Sequence, residues 1–181
     1  MRVIAGQAKG LNLMAPSAIR PTTSVVRSAL FSILASLDDR PRRALDLFAG
    51  SGALGIEALS RGAEWVDFVE REPKNCAVIK QNLEHTGFST QAHVYCAPAK
   101  KAFSFLNGNY DIIFLDPPYS FPSLATFIEE MASSSLAQGA LLAVCHSSRT
   151  TIAPGGKGLE LVKSRCHGDT CISLFNLGAR A

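Results

Sequence analysis

The sequence predicts an α/β fold: a mostly parallel sheet with helices on both faces, ended by a C-terminal antiparallel hairpin and preceded by a small N-terminal hairpin-helix appendage. Three observations carry that expectation. From residue 43 onward, apolar runs of strand length alternate with amphipathic stretches of helix length, and serial β-α-β units of this kind assemble into parallel sheets covered on both sides. Between the first run and its helix lies Gly50-x-Gly52-x-x-Gly55, the spacing of a strand-to-helix turn whose amides approach a ligand. The last two runs are joined by the short turn His167-Gly168-Asp169, which fits two antiparallel strands.

Taken in order, residues 2–6 (RVIAG) and 11–15 (LNLMA) flank a glycine-containing turn and are expected to pair as a hairpin. Thr23 offers an N-cap to a helix with Val26, Leu30, Ile33 and Leu37 on one face. Residues 1–40 are read as this basic appendage, docked on a sheet domain of residues 41–181 in one compact unit. Residues 44–49 (ALDLFA) form the first strand, 52–61 a helix and 65–70 (WVDFVE) the second strand. Residues 73–87 form a helix opened by Pro73 and closed by Gly87. A strand at 92–96, a short helix near AKKAFSFL, a strand at 110–116 (YDIIFLD), a helix at 123–132 and a strand at 140–146 continue the alternation.

At 181 residues with 47% hydrophobic content, one domain buries a sufficient core without disulfides or a structural metal. No apolar run reaches the length of a membrane span, and the N-terminus has no secretory pattern, so a cytoplasmic protein without membrane contact is expected. The cysteines Cys76, Cys96, Cys145, Cys166 and Cys171 are odd in number and lack a C-x-x-C pair, and are expected as small buried hydrophobes of a reducing compartment. Cys166, Cys171 and His167 find no second ligand pair for zinc, so no metal is expected. The net charge is +3, but residues 1–43 alone carry +5 and the remainder −2. A basic face on a slightly acidic body suits a polyanion lying against one side, and an ordinary solvated surface accounts for the asymmetry equally well.

The glycine loop is followed by Glu70, twenty residues past Gly50 at the end of the second strand, where a carboxylate bonds a ribose diol. With close helix-to-strand packing as the structural alternative for the glycines, that combination points to an adenosine-containing ligand. Asp46 narrows it. Four residues before Gly50, it would add negative charge beside a pyrophosphate but suits the ammonium and sulfonium of S-adenosylmethionine. Capping of loop amides by Asp46 is the structural alternative.

The run YDIIFLDPPYS ends in Asp116, Pro117, Pro118 and Tyr119. An exocyclic amine on a nucleobase is a poor nucleophile, because its lone pair is delocalised into the ring. A carboxylate accepting one N–H and a carbonyl accepting the other would pin it, and Asp116 and the Pro117 carbonyl supply that pair. The prolines fix φ and restrict the residue before each, so the acceptors are aimed before substrate arrives. Tyr119 offers a face for a base to stack on. A plain strand-ending turn is the bland alternative.

With these motifs the chain resembles the RsmD family, bacterial 16S ribosomal RNA guanine-N2 methyltransferases. RVIAGQAKG, RPTTSVVRSALFSIL, LDLFAGSGALGIEALSRGA and FLDPPY carry the resemblance across nearly the whole chain. It implies a Rossmann-like class I fold and methyl transfer from S-adenosyl-L-methionine to the 2-amino group of a guanine in 16S rRNA. The substrate would be the small ribosomal subunit or its assembly intermediate, and the enzyme a monomer. By the same resemblance Asp46, Phe48, Gly50, Gly52, Leu54, Glu70, Arg71, Thr22 and Thr23 border the cofactor. Asp116, Pro117, Pro118 and Tyr119 hold the guanine, and Arg2, Lys9, Arg20 and Arg27 lie toward RNA phosphates. Departures are visible. Ser24, Val25 and Ser28 stand where the family usually has charged residues, Leu11 and Asn12 where it has basic ones, and Pro98 where it often has an acid or amide near the adenine. Fewer cations imply weaker, less salt-dependent RNA binding. Other readings are an amino-methyltransferase on another base such as adenine N6, a nicotinamide-dependent oxidoreductase using the same glycine loop, and an RNA-binding module without catalysis.

Overall fold

The structure, a computed structural model, describes residues 1–15, 23–37, 41–107, 109–134, 136, 139–152 and 158–178. Helix α1 (Ser24–Ser36) precedes a sheet of β1 (Arg43–Leu47), β2 (Trp65–Glu70), β3 (Ala92–Cys96), β4 (Ile112–Leu115), β5 (Leu141–Ser147), β6 (Leu159–His167) and β7 (Thr170–Leu177). Between strands run α2 (Ala53–Ser60), α3 (Pro73–Thr86), α4 (Ala102–Phe105) and α5 (Leu124–Ala132). The strand order is β3-β2-β1-β4-β5-β7-β6. Strands β1 to β5 pair in parallel, and β7 runs antiparallel to both β5 and β6.

The unbroken apolar runs of the central strands follow from burial on both faces. Ala44, Phe68, Phe114 and Ala143 point to one side, against Leu30, Ile56, Leu59 and Ile79 of α1, α2 and α3. Leu45, Leu47, Ile113, Leu115 and Val144 point to the other, against Ala102, Phe127, Ile128 and Met131 of α4 and α5. Helix α2 lies close on β2 because Gly55 has no side chain. A Cβ there would fall 2.3 Å from the Phe68 ring.

Strand β4 is shorter than the expected 110–116. Tyr110 and Asp111 precede it because their polar groups are engaged elsewhere. The Tyr110 hydroxyl donates to Asp67 at 2.6 Å, and the Asp111 carboxylate accepts the Arg42 and Arg43 amides at 2.8 Å each. Asp67 also accepts from Trp65 Nε1 at 2.9 Å and from Arg43 at 3.2 Å, so one buried carboxylate ties β1, β2 and the start of β4 together. The short helix is a 3-10 turn, Ala99–Lys101, running into α4.

In α1 the Thr23 side chain accepts from the Val26 amide at 3.3 Å, as an N-cap does. Val26, Leu30 and Ile33 are buried with Phe31 and Leu34, whereas Leu37 is the C-cap and is exposed. The N-terminal segments pair as a short antiparallel hairpin about the bridge of Arg2 with Asn12, the Val3 amide donating to the Leu11 carbonyl at 3.0 Å and the Leu13 amide to the Met1 carbonyl at 2.7 Å. A longer hairpin does not form, because the Ile4 and Ala5 amides donate to the carboxylate of Glu57 at 2.7 and 3.0 Å. Glu57 is fully buried on α2 and also pairs with Arg61 at 2.7 Å.

Two expectations are corrected here. Arg27 does not face outward: it is 1% exposed, and its guanidinium donates to the Arg2 carbonyl at 2.9 Å. Position 27 falls on the buried face of α1, one residue past Val26, and the nearby Glu57 carboxylate opposes the lowering of its pKa by burial. Cys166 and Cys171 are not separate thiols. The two-residue turn at Gly168 and Asp169 sets them opposite each other in β6 and β7, where they form a disulfide. Cys76 and Cys145 are buried and Cys96 is exposed.

Because Glu57 serves two backbone amides and a guanidinium at once, Glu57→Ala should lower stability by roughly 3 kcal/mol. Urea unfolding should show a lower midpoint, with hydrogen exchange accelerated first at Ile4 and Ala5. A variant as stable as the parent would mean that apolar packing and the hydrogen bonds to Ser60 and Asn82 hold the N-terminal segment without Glu57.

Candidate active site

The carboxyl ends of β1, β2, β4 and β5 lie on one edge of the sheet, where open α/β sheets bind ligands. Chain geometry there is unusual. Phe48, Gly50 and Gly52 all have positive φ, at 64°, 57° and 78°, so the loop between β1 and α2 reverses tightly. Phe48 is the strained member, being no glycine. Its ring is taken up by Phe121 and Phe127, with centroids 5.0 and 5.4 Å away, which compensates the backbone and ties the loop to α5.

Two carboxylates hold this loop. Asp46, 1% exposed, accepts the Gly55 amide at 2.9 Å. Glu70 accepts the Gly50 amide at 2.8 Å through one oxygen and the Glu72 amide at 2.9 Å through the other. The amide-capping reading of Asp46 is therefore realised, at the first turn of α2. Burial pushes the Asp46 carboxyl up to about 8, opposed by the Gly55 bond and reinforced by the charges of Asp116 and Glu70. The buried Cys145 thiol is pushed well up by burial and by Asp116 and Asp46. Three acids from three strands thus share one electrostatic neighbourhood.

Beyond β4 the chain turns at once. Asp116 is half-buried, Pro117 buried, and Pro118 and Tyr119 exposed, and the Phe121 amide closes the turn on the Pro118 carbonyl at 2.8 Å. The Tyr119 hydroxyl bonds Thr170 on the β6–β7 hairpin. Facing this loop is a cavity of about 310 Å³, lined by Pro117, Pro118, Tyr119 and Phe121 on one side and His146, Ser147 and Thr150 at the end of β5 on the other.

The sequence-predicted residues divide accordingly. Asp46, Gly50, Gly52, Glu70, Asp116, Pro117, Pro118 and Tyr119 converge on the edge. Leu54 is buried in the core under α2. Arg71 is exposed and pairs with Glu72 at 3.2 Å. Thr23 caps α1 with its hydroxyl. Arg2 and Lys9 are exposed on the N-terminal segment, whereas Thr22 and Arg20 lie outside the described residues. Sequence reasoning missed His146, Ser147, Thr150 and Thr170. The signal for the first three was the polar stretch HSSRTT, which begins at His146 in the last two residues of β5 and runs beyond it.

Comparison with known proteins fits this geometry. The family described as Conserved hypothetical protein 95 matches residues 1–176. The chain belongs to that family. A relative from Bacillus subtilis, the putative rRNA methyltransferase YlbH, is 34% identical over 183 residues, covering 97% of this chain and 98% of that protein. Ribosomal RNA small subunit methyltransferase D of Escherichia coli K12 is 37% identical over 121 residues, covering 66% of this chain and 60% of that protein. The solved structure of the putative methyltransferase yhhF from Escherichia coli superposes with a TM-score of 0.84 at 31% identity, over 99% of both chains. The resemblance to the RsmD family is borne out, and the sheet is that of a Rossmann-like class I methyltransferase. Among the described residues no helix is long and apolar enough to cross a membrane.

The raised Asp46 pKa has a measurable consequence. Its folded value of about 8 lies above the ordinary 3.8, so the stability linked to the neutral carboxyl is fully present below about 4 and is lost as pH rises through about 8. Unfolding by urea across this range should show that decline, and Asp46→Asn, which cannot titrate, should lack it. Superimposable profiles for the two proteins would overturn the burial account.

Proposed function

We propose that this protein is an S-adenosylmethionine-dependent methyltransferase acting on the exocyclic N2 amine of a guanine in 16S rRNA, in the small ribosomal subunit or its assembly intermediate. The observation that carries the reading is the meeting of the glycine loop and the Asp116-Pro117-Pro118-Tyr119 loop at one sheet edge, with Asp46, Glu70 and Asp116 as neighbours. S-adenosylmethionine supplies a methyl group on positively charged sulfur.

The donor set fits that cofactor. The charges of Glu70 and Asp116 that bear on Asp46 would repel a pyrophosphate, whereas an ammonium arriving there favours the carboxylate form of Asp46. Glu70 uses each oxygen for one loop amide. Each oxygen keeps a further lone pair, enough to accept from two ribose hydroxyls. Gly50 and Gly52 let the backbone approach closely. Pro98, exposed after β3, leaves the adenine edge to backbone groups.

On the substrate side, Asp116 and the Pro117 carbonyl accept the two N–H groups of the amine. That arrangement orients its lone pair along the line of transfer and needs no reorganisation during reaction. Tyr119 stacks on the base, which must leave any pairing to reach it. Arg2 and Lys9 are the described cations of the N-terminal segment available to phosphates, while Arg27 serves the interior. The salt dependence of RNA binding should accordingly be shallow. The protein works as a cytoplasmic monomer in this reading.

Asp116→Ala should lower transfer of labelled methyl to undermodified small subunits about 10²- to 10³-fold. Thermal stabilisation by S-adenosylhomocysteine should remain. Normal turnover by this variant would refute the role of Asp116. Stabilisation by NAD and not by S-adenosylhomocysteine would replace the reading with a nicotinamide-dependent oxidoreductase.

A further inference from the structure

We propose that the cavity between the Pro117–Tyr119 loop and the end of β5 is a base-edge subsite, in which the hydroxyls of Ser147 and Thr150 select a purine carrying a carbonyl oxygen. The inference rests on the methyltransferase reading above and adds the groups that discriminate among bases. At about 310 Å³ the cavity falls in the range of small-ligand sites. Its walls differ in chemistry. Pro117, Pro118, Phe121 and Leu124 give apolar lining against which a ring can lie, and Ser147 and Thr150 are hydroxyl-bearing residues of the same lining.

Those hydroxyls sit on a turn that is fixed from below. The Ser147 carbonyl accepts the Thr150 amide at 2.9 Å and bonds His146 Nδ1 at 2.9 Å. A carbonyl only accepts, so the proton of His146 sits on Nδ1, and Nε2 accepts from Ser173 Oγ at 2.9 Å. Ser173 is tied in turn to Ser164 on β6 at 3.0 Å. His146, 7% exposed, is thus a positioning residue that anchors the turn to the β6–β7 hairpin. Ser147 Oγ accepts the Arg149 amide at 3.2 Å, so its own proton can be donated into the cavity.

A donor at this place distinguishes bases by what stands beside the bound amine. With the 2-amino group of guanine held at Asp116, the 6-oxo oxygen lies further along the same edge and accepts the hydroxyl proton. Adenine held by its 6-amino group turns a ring nitrogen and then a C–H to the same side, leaving the hydroxyl unsatisfied.

The test is methyl transfer from labelled S-adenosylmethionine to undermodified small subunits, with the modified nucleotide mapped and then replaced by 2-aminopurine, which keeps the amine and lacks the oxygen. Ser147→Ala and Thr150→Val should each lower kcat/KM about tenfold, with stabilisation by S-adenosylhomocysteine unchanged. On the 2-aminopurine substrate they should cause no further loss, because the oxygen they serve is already gone. His146→Leu should match these losses. His146→Asn, whose amide can keep a donor toward the Ser147 carbonyl, should restore activity to within about threefold. A wild-type enzyme that transfers methyl while both hydroxyl variants stay within twofold would overturn the subsite. Losses that add on 2-aminopurine, or an asparagine variant as poor as leucine, would also overturn it. Failure of the wild type to transfer any methyl would instead remove the methyltransferase reading itself.

Discussion

The approach of α2 to β2 is the constraint from which the site follows. At Gly55 the two elements are so close that a single methyl group would penetrate the Phe68 ring, at 2.3 Å. That contact sets the start of α2 directly above the sheet edge. Only there can the Gly55 amide meet Asp46 from β1 while the Gly50 amide meets Glu70 from β2. A longer side chain at position 55 would lift the helix and separate the amides from both acids. The glycine spacing is therefore as much a packing requirement as a provision for ligand approach.

Electrostatics at the same edge run against ordinary stability. Asp46 is buried with Asp116 and Glu70 acting on it, and its pKa rises to about 8 for that reason. Neutral surroundings would have held the fold more easily. Phe48 adds backbone strain, held by the Phe121 and Phe127 rings. Strain and unfavourable charge gathered in one place are the mark of a site shaped for a ligand. Beside that strained edge, the half-buried Asp116 leads into the Pro117–Tyr119 loop that lines the cavity.

The N-terminal segment shows how sequence patterning and tertiary structure part company. Its pattern of basic residues suggests an RNA-facing surface, and Arg2 and Lys9 are indeed exposed. Arg27 carries the same charge but sits on the buried face of α1, where it bonds the Arg2 carbonyl. Composition counts charges without assigning them to a side. Glu57 is the acidic counterpart: a charged residue of α2, it is fully buried and clasps the Ile4 and Ala5 amides.

By itself the sequence determined the element order, the glycine loop, the acids at the ends of β1, β2 and β4, and the hairpin at the C-terminus. These are local properties, written in hydrophobic period, in proline and glycine positions and in residues a few places apart. Tertiary structure decided what depends on distant segments meeting. It turned Arg27 inward against the Arg2 carbonyl, joined Glu57 of α2 to the Ile4 and Ala5 amides, and brought His146, Ser147 and Thr150 together with the Pro117–Tyr119 loop to enclose a cavity. No spacing along the chain encodes those meetings, because they arise when two-sided burial of the sheet forces strands far apart in sequence to end at one edge.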